Sequence, residues 1–97
     1  MKTVAEIKKV LELHTDDLRV TYGVKEIGIF GSYVREDQTE TSDVDILVEF
    51  ERPLGLLSFA GLRNHLSDLL GVEVDLVMKR ALKPRIGKRI LEEVAYV

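Results

Sequence analysis

Apolar residues recur at helical spacing from the start of the chain. Val4, Ile7, Val10, Leu11 and Leu18 share a face, with Lys8, Lys9, Glu12 and Asp16 between them. This predicts one amphipathic helix ending before Gly23. Val24 to Phe30 is rich in β-branched and aromatic residues and predicts a strand running into Gly31-Ser32. The polar residues 36–42 predict a loop. Asp43 to Phe50 alternates strictly: Val44, Ile46, Val48 and Phe50 point one way, Asp43, Asp45, Leu47 and Glu49 the other. Pro53 opens a second helical stretch with an apolar face of Leu56, Leu57, Ala60, Leu62, Leu66, Leu69 and Leu70, and Gly71 stops it. Val72 to Val77 predicts a third strand. Pro84 fits the first turn of a last helix, with Ile86, Ile90, Leu91 and Val94 on its inner side. Helices and strands thus interleave, which predicts an α/β or α+β sheet covered by helices.

Composition narrows the class. The chain has 97 residues, enough for one small domain, 1–97, that folds alone. Its hydrophobic fraction of 45% and charged fraction of 32% argue against disorder. It has no cysteine, which excludes disulfide scaffolds, cysteine zinc sites and thiol nucleophiles. No apolar stretch is long enough to span a bilayer and no apolar signal region opens the chain, so the expectation is a soluble, cytoplasmic protein with no membrane partner.

The net charge is −3, from 14 basic and 17 acidic residues, which argues against direct nucleic-acid binding. The distribution says more. Lys79, Arg80, Lys83, Arg85, Lys88 and Arg89 gather near the C-terminus, and Glu36, Asp37, Glu40, Asp43, Asp45, Glu49 and Glu51 crowd the middle. Such a division suits a metal–phosphate ligand held across the two, or two solvated faces.

Asp43 and Asp45 stand two apart in a predicted strand and share a face. Two carboxylates so placed repel each other unless a cation lies near them. Hard divalent cations take oxygen ligands and commonly keep substrate phosphates in their shell. Asp75 lies among Val74, Leu76 and Val77; if its strand neighbours the first, a third carboxylate joins the pair. The alternative is an edge strand with Asp75 in water. Upstream, Gly31 permits a sharp turn and close approach of a ligand, and Ser32 can cap a helix or donate to a phosphate at its N-terminus. Arg35 returns at helical spacing towards the same side, where its fork suits phosphate or carboxylate. Taken singly, each of these is also a routine turn, cap or loop acid.

Together they form a pattern. Gly31-Ser32, then ten residues, then Asp43-x-Asp45 resembles the signature of the polymerase-β-type nucleotidyltransferase superfamily. The strings Gly28-Ile29-Phe30-Gly31-Ser32-Tyr33-Val34-Arg35 and Ser42-Asp43-Val44-Asp45-Ile46-Leu47-Val48 resemble its smallest members, the minimal nucleotidyltransferases. Val74-Asp75-Leu76-Val77 is similar to their third acidic strand, and Leu82-Lys83-Pro84 with Ile90-Leu91-Glu92-Glu93 to their C-terminal helix. The resemblance implies a small mixed sheet flanked by helices, with the acidic strands as the active-site floor. It implies nucleotidyl transfer from ATP with two Mg²⁺ ions. Asp43, Asp45 and Asp75 are then the catalytic and metal-binding residues, Asp75 also helping to deprotonate the attacking hydroxyl. Gly31 and Ser32 hold the β- and γ-phosphates, and Arg35 is a further nucleotide-binding candidate. Glycine often follows this arginine in the family; here Glu36 does, and the added acid weakens nucleotide binding unless Glu36 and Asp37 face solvent, so Arg35 serves either the phosphate or a partner. Glu49 is structural or peripheral.

The chain leaves no room for an acceptor-gripping domain, so the acceptor surface is expected from a partner chain or from self-association. By resemblance, minimal nucleotidyltransferases are antitoxins whose partner is a HEPN-type ribonuclease toxin, some of which they silence by transferring AMP to a tyrosine. The alternatives are a non-catalytic antitoxin that neutralises its partner by contact, and a small-molecule nucleotidyltransferase. Elsewhere, His14 is expected to bound the first helix, His65 to lie on the surface, and Tyr33 and Tyr96 to pack or make contacts. The basic C-terminal residues meet the triphosphate, face an acidic partner, or complement the last helix's dipole.

Overall fold

The computed structural model describes residues 2–97. The elements run α1 (Val4–Leu13), α2 (Thr15–Tyr22), β1 (Val24–Phe30), α3 (Ser32–Arg35), β2 (Val44–Phe50), α4 (Leu56–Leu70), β3 (Val74–Met78), a 3₁₀ turn (Lys79–Ala81), α5 (Pro84–Glu93) and β4 (Ala95–Tyr96). The strands form one mixed sheet in the order β3-β2-β1-β4. β1 is antiparallel to β2 and β4, while β2 and β3 are parallel. The parallel step needs a crossover, and α4 supplies it. This is the mixed sheet flanked by helices that the sequence implied. No described helix is long and apolar enough to cross a membrane.

The two faces of the sheet differ. Ile27 and Ile29 of β1, Val44, Ile46 and Val48 of β2 and Val74 and Leu76 of β3 pack with Ile7, Leu11 and Leu18 and with Leu62, Leu66 and Leu70. The alternation along β2 therefore puts its β-branched set into the main core, under α1, α2 and α4. Phe30, Asp45, Leu47, Asp75 and Val77 lie on the opposite face by the period-two rule. Phe30 and Leu47 are buried there too. Asp45 and Asp75 thus stand at one end of a partly apolar face.

Several predicted elements changed in the structure. The single first helix breaks at His14, whose Nδ1 bonds the Val10 carbonyl at 2.9 Å; its backbone N–H turns to Leu11 O, while its own carbonyl starts α2. The second helical stretch starts at Leu56, past Pro53, and Leu56 and Leu57 are exposed. β3 is shifted to Val74–Met78. Pro84 opens α5 as expected, but Ile86 and Leu91 are exposed and Gly87 is the helix's only buried residue. β4 was not predicted: two residues carry no readable period. His65 is half-buried and stacks on Tyr22, ring centroids 6.0 Å apart. Tyr33 belongs to the core.

Candidate active site

β1 carries the chain to Gly31, which turns it at φ 80°, ψ −150°, a conformation open essentially to glycine. Gly31 itself caps α3, with no side-chain cap, and Ser32 is the first helical residue, so of the two readings of Ser32 the structure does not bear out the cap. A second reason for glycine lies across the sheet: a β-carbon at residue 31 would collide with Asp45 Oδ2. The turn and the carboxylate occupy each other's space. Arg35 ends α3, and Glu36 follows in the left-handed region at φ 62°. The glycine common in the family at this position would hold that conformation without steric penalty. Glu36 and Asp37 are both exposed, but the Asp37 carboxylate turns to Arg35 rather than standing free in solvent.

Register brings the acids together. Asp45 lies opposite Phe30 on β1 and beside Asp75 on β3. Asp43 sits just before β2 rather than in it and is exposed, as is Asp75, while Asp45 is half-buried. Burial pushes the Asp45 carboxyl up to about 6, reinforced by the negative charges of Asp75 and Asp43, with Arg35 pulling the other way. Asp75 thus faces water, as one of the two sequence readings held, yet it still acts on Asp45.

This donor set fits a hard divalent cation. The three groups offer carboxylate oxygens, and their mutual repulsion is what such an ion relieves. As they stand, among the described residues, no three acidic or histidine side chains are placed so that they could hold a metal ion together. Glu49, in contrast, pairs with Lys25 at 3.6 Å and stands apart from the group.

Beside Asp45 a pocket of about 270 Å³ is lined by Phe30, Gly31, Arg35 and Asp45 from the sheet side and by Ile86, Arg89, Ile90 and Glu93 from α5. Glu93 is the residue that sequence reasoning missed. Its Oε1 accepts from the Gly31 N–H at 2.9 Å, and both its oxygens accept from Arg35 Nη1, at 3.3 and 3.2 Å. Arg35 also reaches Asp37 through Nε at 3.4 Å. These bonds, that to Glu93 first, hold the guanidinium firmly charged. A signal for Glu93 existed: carboxylates are disfavoured at a helix C-terminus, and the last turn of α5 holds no basic residue to offset them. Of the basic C-terminal residues, Arg89 reaches the pocket, and none serves the dipole of α5's last turn.

Residues 6–97 match the nucleotidyltransferase domain family. The chain is 54% identical over 97 residues to the protein adenylyltransferase MntA of Thermococcus cleftensis, covering all of this chain and 98% of that one. Among solved structures, one described as a minimal nucleotidyltransferase is 36% identical, with a TM-score of 0.74 over 97% of this chain and 95% of that chain. A toxin–antitoxin crystal structure with AMP-PNP contains a chain that is 26% identical, with a TM-score of 0.74 over 93% of this chain and 70% of that chain.

Proposed function

The chain belongs to the nucleotidyltransferase domain family, and from that premise we propose that it transfers AMP from ATP to a hydroxyl of a partner protein, a tyrosine of a HEPN ribonuclease toxin, and so acts as that toxin's antitoxin. The observation that carries this reading is the placement of Asp45 beside Asp75, against the Gly31 turn and the Arg35 guanidinium. Such a site joins a cation-seeking carboxylate group to a phosphate-seeking loop. The 54% identical relative named as a protein adenylyltransferase supports a protein acceptor. The toxin–antitoxin neighbour with AMP-PNP supports both an adenine nucleotide and a toxin partner.

Asp43, Asp45 and Asp75 would hold Mg²⁺, which when bound supplies positive charge that offsets the triphosphate's and favours the ionised form of the attacking oxygen. The chain's own groups do the positioning. The Gly31 N–H, the Ser32 hydroxyl and Arg35 hold the β- and γ-phosphates, leaving the α-phosphate towards Asp45 and Asp75. Asp75 is exposed at the outer side of the group and is open to a hydroxyl arriving from a partner. It takes the hydroxyl proton as the oxygen attacks the α-phosphorus. The bond to the β-phosphate breaks, and pyrophosphate leaves with the electron pair. Alignment and charge carry most of the acceleration in such a displacement.

The test is label transfer from ATP carrying its label on the α-phosphate, with Mg²⁺ and the candidate toxin. A labelled toxin band is expected. It should vanish in an Asp43→Asn/Asp45→Asn variant and with γ-labelled ATP. Neutralisation of the toxin without any transfer, unchanged in the variant, would replace this reading with a contact-only antitoxin.

A further inference from the structure

Three groups are assigned to the nucleotide's phosphates above, and two of them, the Gly31 N–H and Arg35, are bonded to Glu93. We propose that Glu93 is a built-in stand-in for nucleotide phosphate: it holds the loop in its binding shape in the free protein and must be displaced when the triphosphate seats, which frees the last turn of α5 from that loop. This rests on the reading of the Gly31–Arg35 loop as the phosphate site.

The chemistry of the contact supports it. A carboxylate presents two oxygens to a backbone N–H and a guanidinium, much as a phosphoryl group does. One N–H donates well to one acceptor at a time, so Glu93 and a phosphate compete for Gly31. An added carboxylate beside a half-buried pocket also repels an incoming triphosphate. The anchoring of α5 makes displacement feasible. Only Gly87 of this helix is buried, and Ile86 and Leu91 are 60% and 44% exposed. Glu93 sits at the helix end where a negative charge is least favoured; its bonds to Gly31 and Arg35 offset that, while β4, which follows at once and pairs with β1, holds the chain beyond it to the sheet. Arg89, one turn earlier, lines the same pocket and offers the arriving phosphate a cation.

The experiment compares Mg²⁺–ATP binding by titration calorimetry in the wild type, Glu93→Gln and Glu92→Gln. The amide at 93 keeps an acceptor for the Gly31 N–H but loses the charge that competes. Glu92 is exposed and outside this pocket, so its variant controls for net charge. Glu93→Gln is expected to tighten binding about tenfold, the size of one charge-assisted hydrogen bond, and Glu92→Gln about twofold or less. Unchanged or weaker binding in Glu93→Gln, with wild-type binding intact, would overturn the stand-in role alone. No binding in any of the three would overturn the phosphate site itself. Should Glu93→Gln fail to fold, hydrogen exchange in the wild type decides. The Val94 amide, bonded to Ile90 O at 2.9 Å, should exchange faster with Mg²⁺–ATP; slower or equal exchange would refute the release.

Discussion

Gly31 and Asp45 are a coupled pair. The turn at residue 31 uses a positive φ, and the space where its β-carbon would sit holds the Asp45 carboxylate. Alanine there meets both objections at once. Gly31→Ala is expected to destabilise the protein by about 2–4 kcal/mol, from backbone strain plus overpacking. Displacing Asp45 by about 1 Å should also reduce label transfer about a hundredfold. A denaturant titration and the α-label assay check the two; wild-type stability in the variant would show that the turn relaxes freely. The glycine was legible as a turn residue from its place after an apolar strand. Its contact with Asp45 was not, because 14 positions separate the two and only strand pairing joins them.

At the scale of elements, short or interrupted segments escaped the pattern. The stripe Ile7, Leu11, Leu18 fits one helix or two, because a break that keeps the same face inward leaves the period unchanged. In the structure the stripe is split at His14, whose Nδ1 lies 2.9 Å from Val10 O. β4 depends on Gly28. A β-carbon there would lie 2.6 Å from Val94 Cγ2, 3.1 Å from Tyr96 Cδ1 and 3.2 Å from Ala95 O. The bare backbone of β1 is thus the seat for the chain's last strand. Lys79 braces the same edge, with Nζ 3.0 Å from Glu26 and 5.6 Å from the Tyr96 ring centroid. Gly28→Val is therefore expected to dislodge β4 at a cost of about 1–3 kcal/mol. In proton NMR, loss of the β1–β4 amide protection with β1–β2 protection retained would establish this; a retained β4 would refute it.

Over the whole molecule, the acidic group sets how stability responds to pH. Asp45 titrates at about 6 in the folded, metal-free protein against 3.8 as its ordinary value. Between these values the folded state binds more protons than the unfolded one, so stability falls as pH rises through that window. Above it the penalty is complete. Asp45→Asn removes it, and the variant is expected to be about 1–2 kcal/mol more stable than wild type at pH 7 in EDTA, less than the full shift implies because the carboxylate is half-exposed. The gap should close towards pH 4. Mg²⁺ should narrow it at pH 7 by stabilising the wild type alone. Denaturant titrations at the two pH values, with and without Mg²⁺, measure both effects; a gap independent of pH would place its origin elsewhere.

Sequence by itself determined the elements whose period is long and unbroken. The alternation in β2 assigned Val44, Ile46 and Val48 to the core, and Asp45 to the opposite face, because successive strand residues must point to opposite sides. The same local rules singled out Gly31, Ser32, Arg35 and the aspartates one by one, and the resemblance to a known family joined them into a candidate site. Tertiary structure decided what depends on residues far apart. It set Asp45 level with Asp75 through the β2–β3 register, and it swung the end of α5 back so that Glu93 meets Gly31, 62 positions earlier. No period along the chain encodes such a meeting. It follows from how the sheet, the crossover helix and the light anchoring of α5 share the available space.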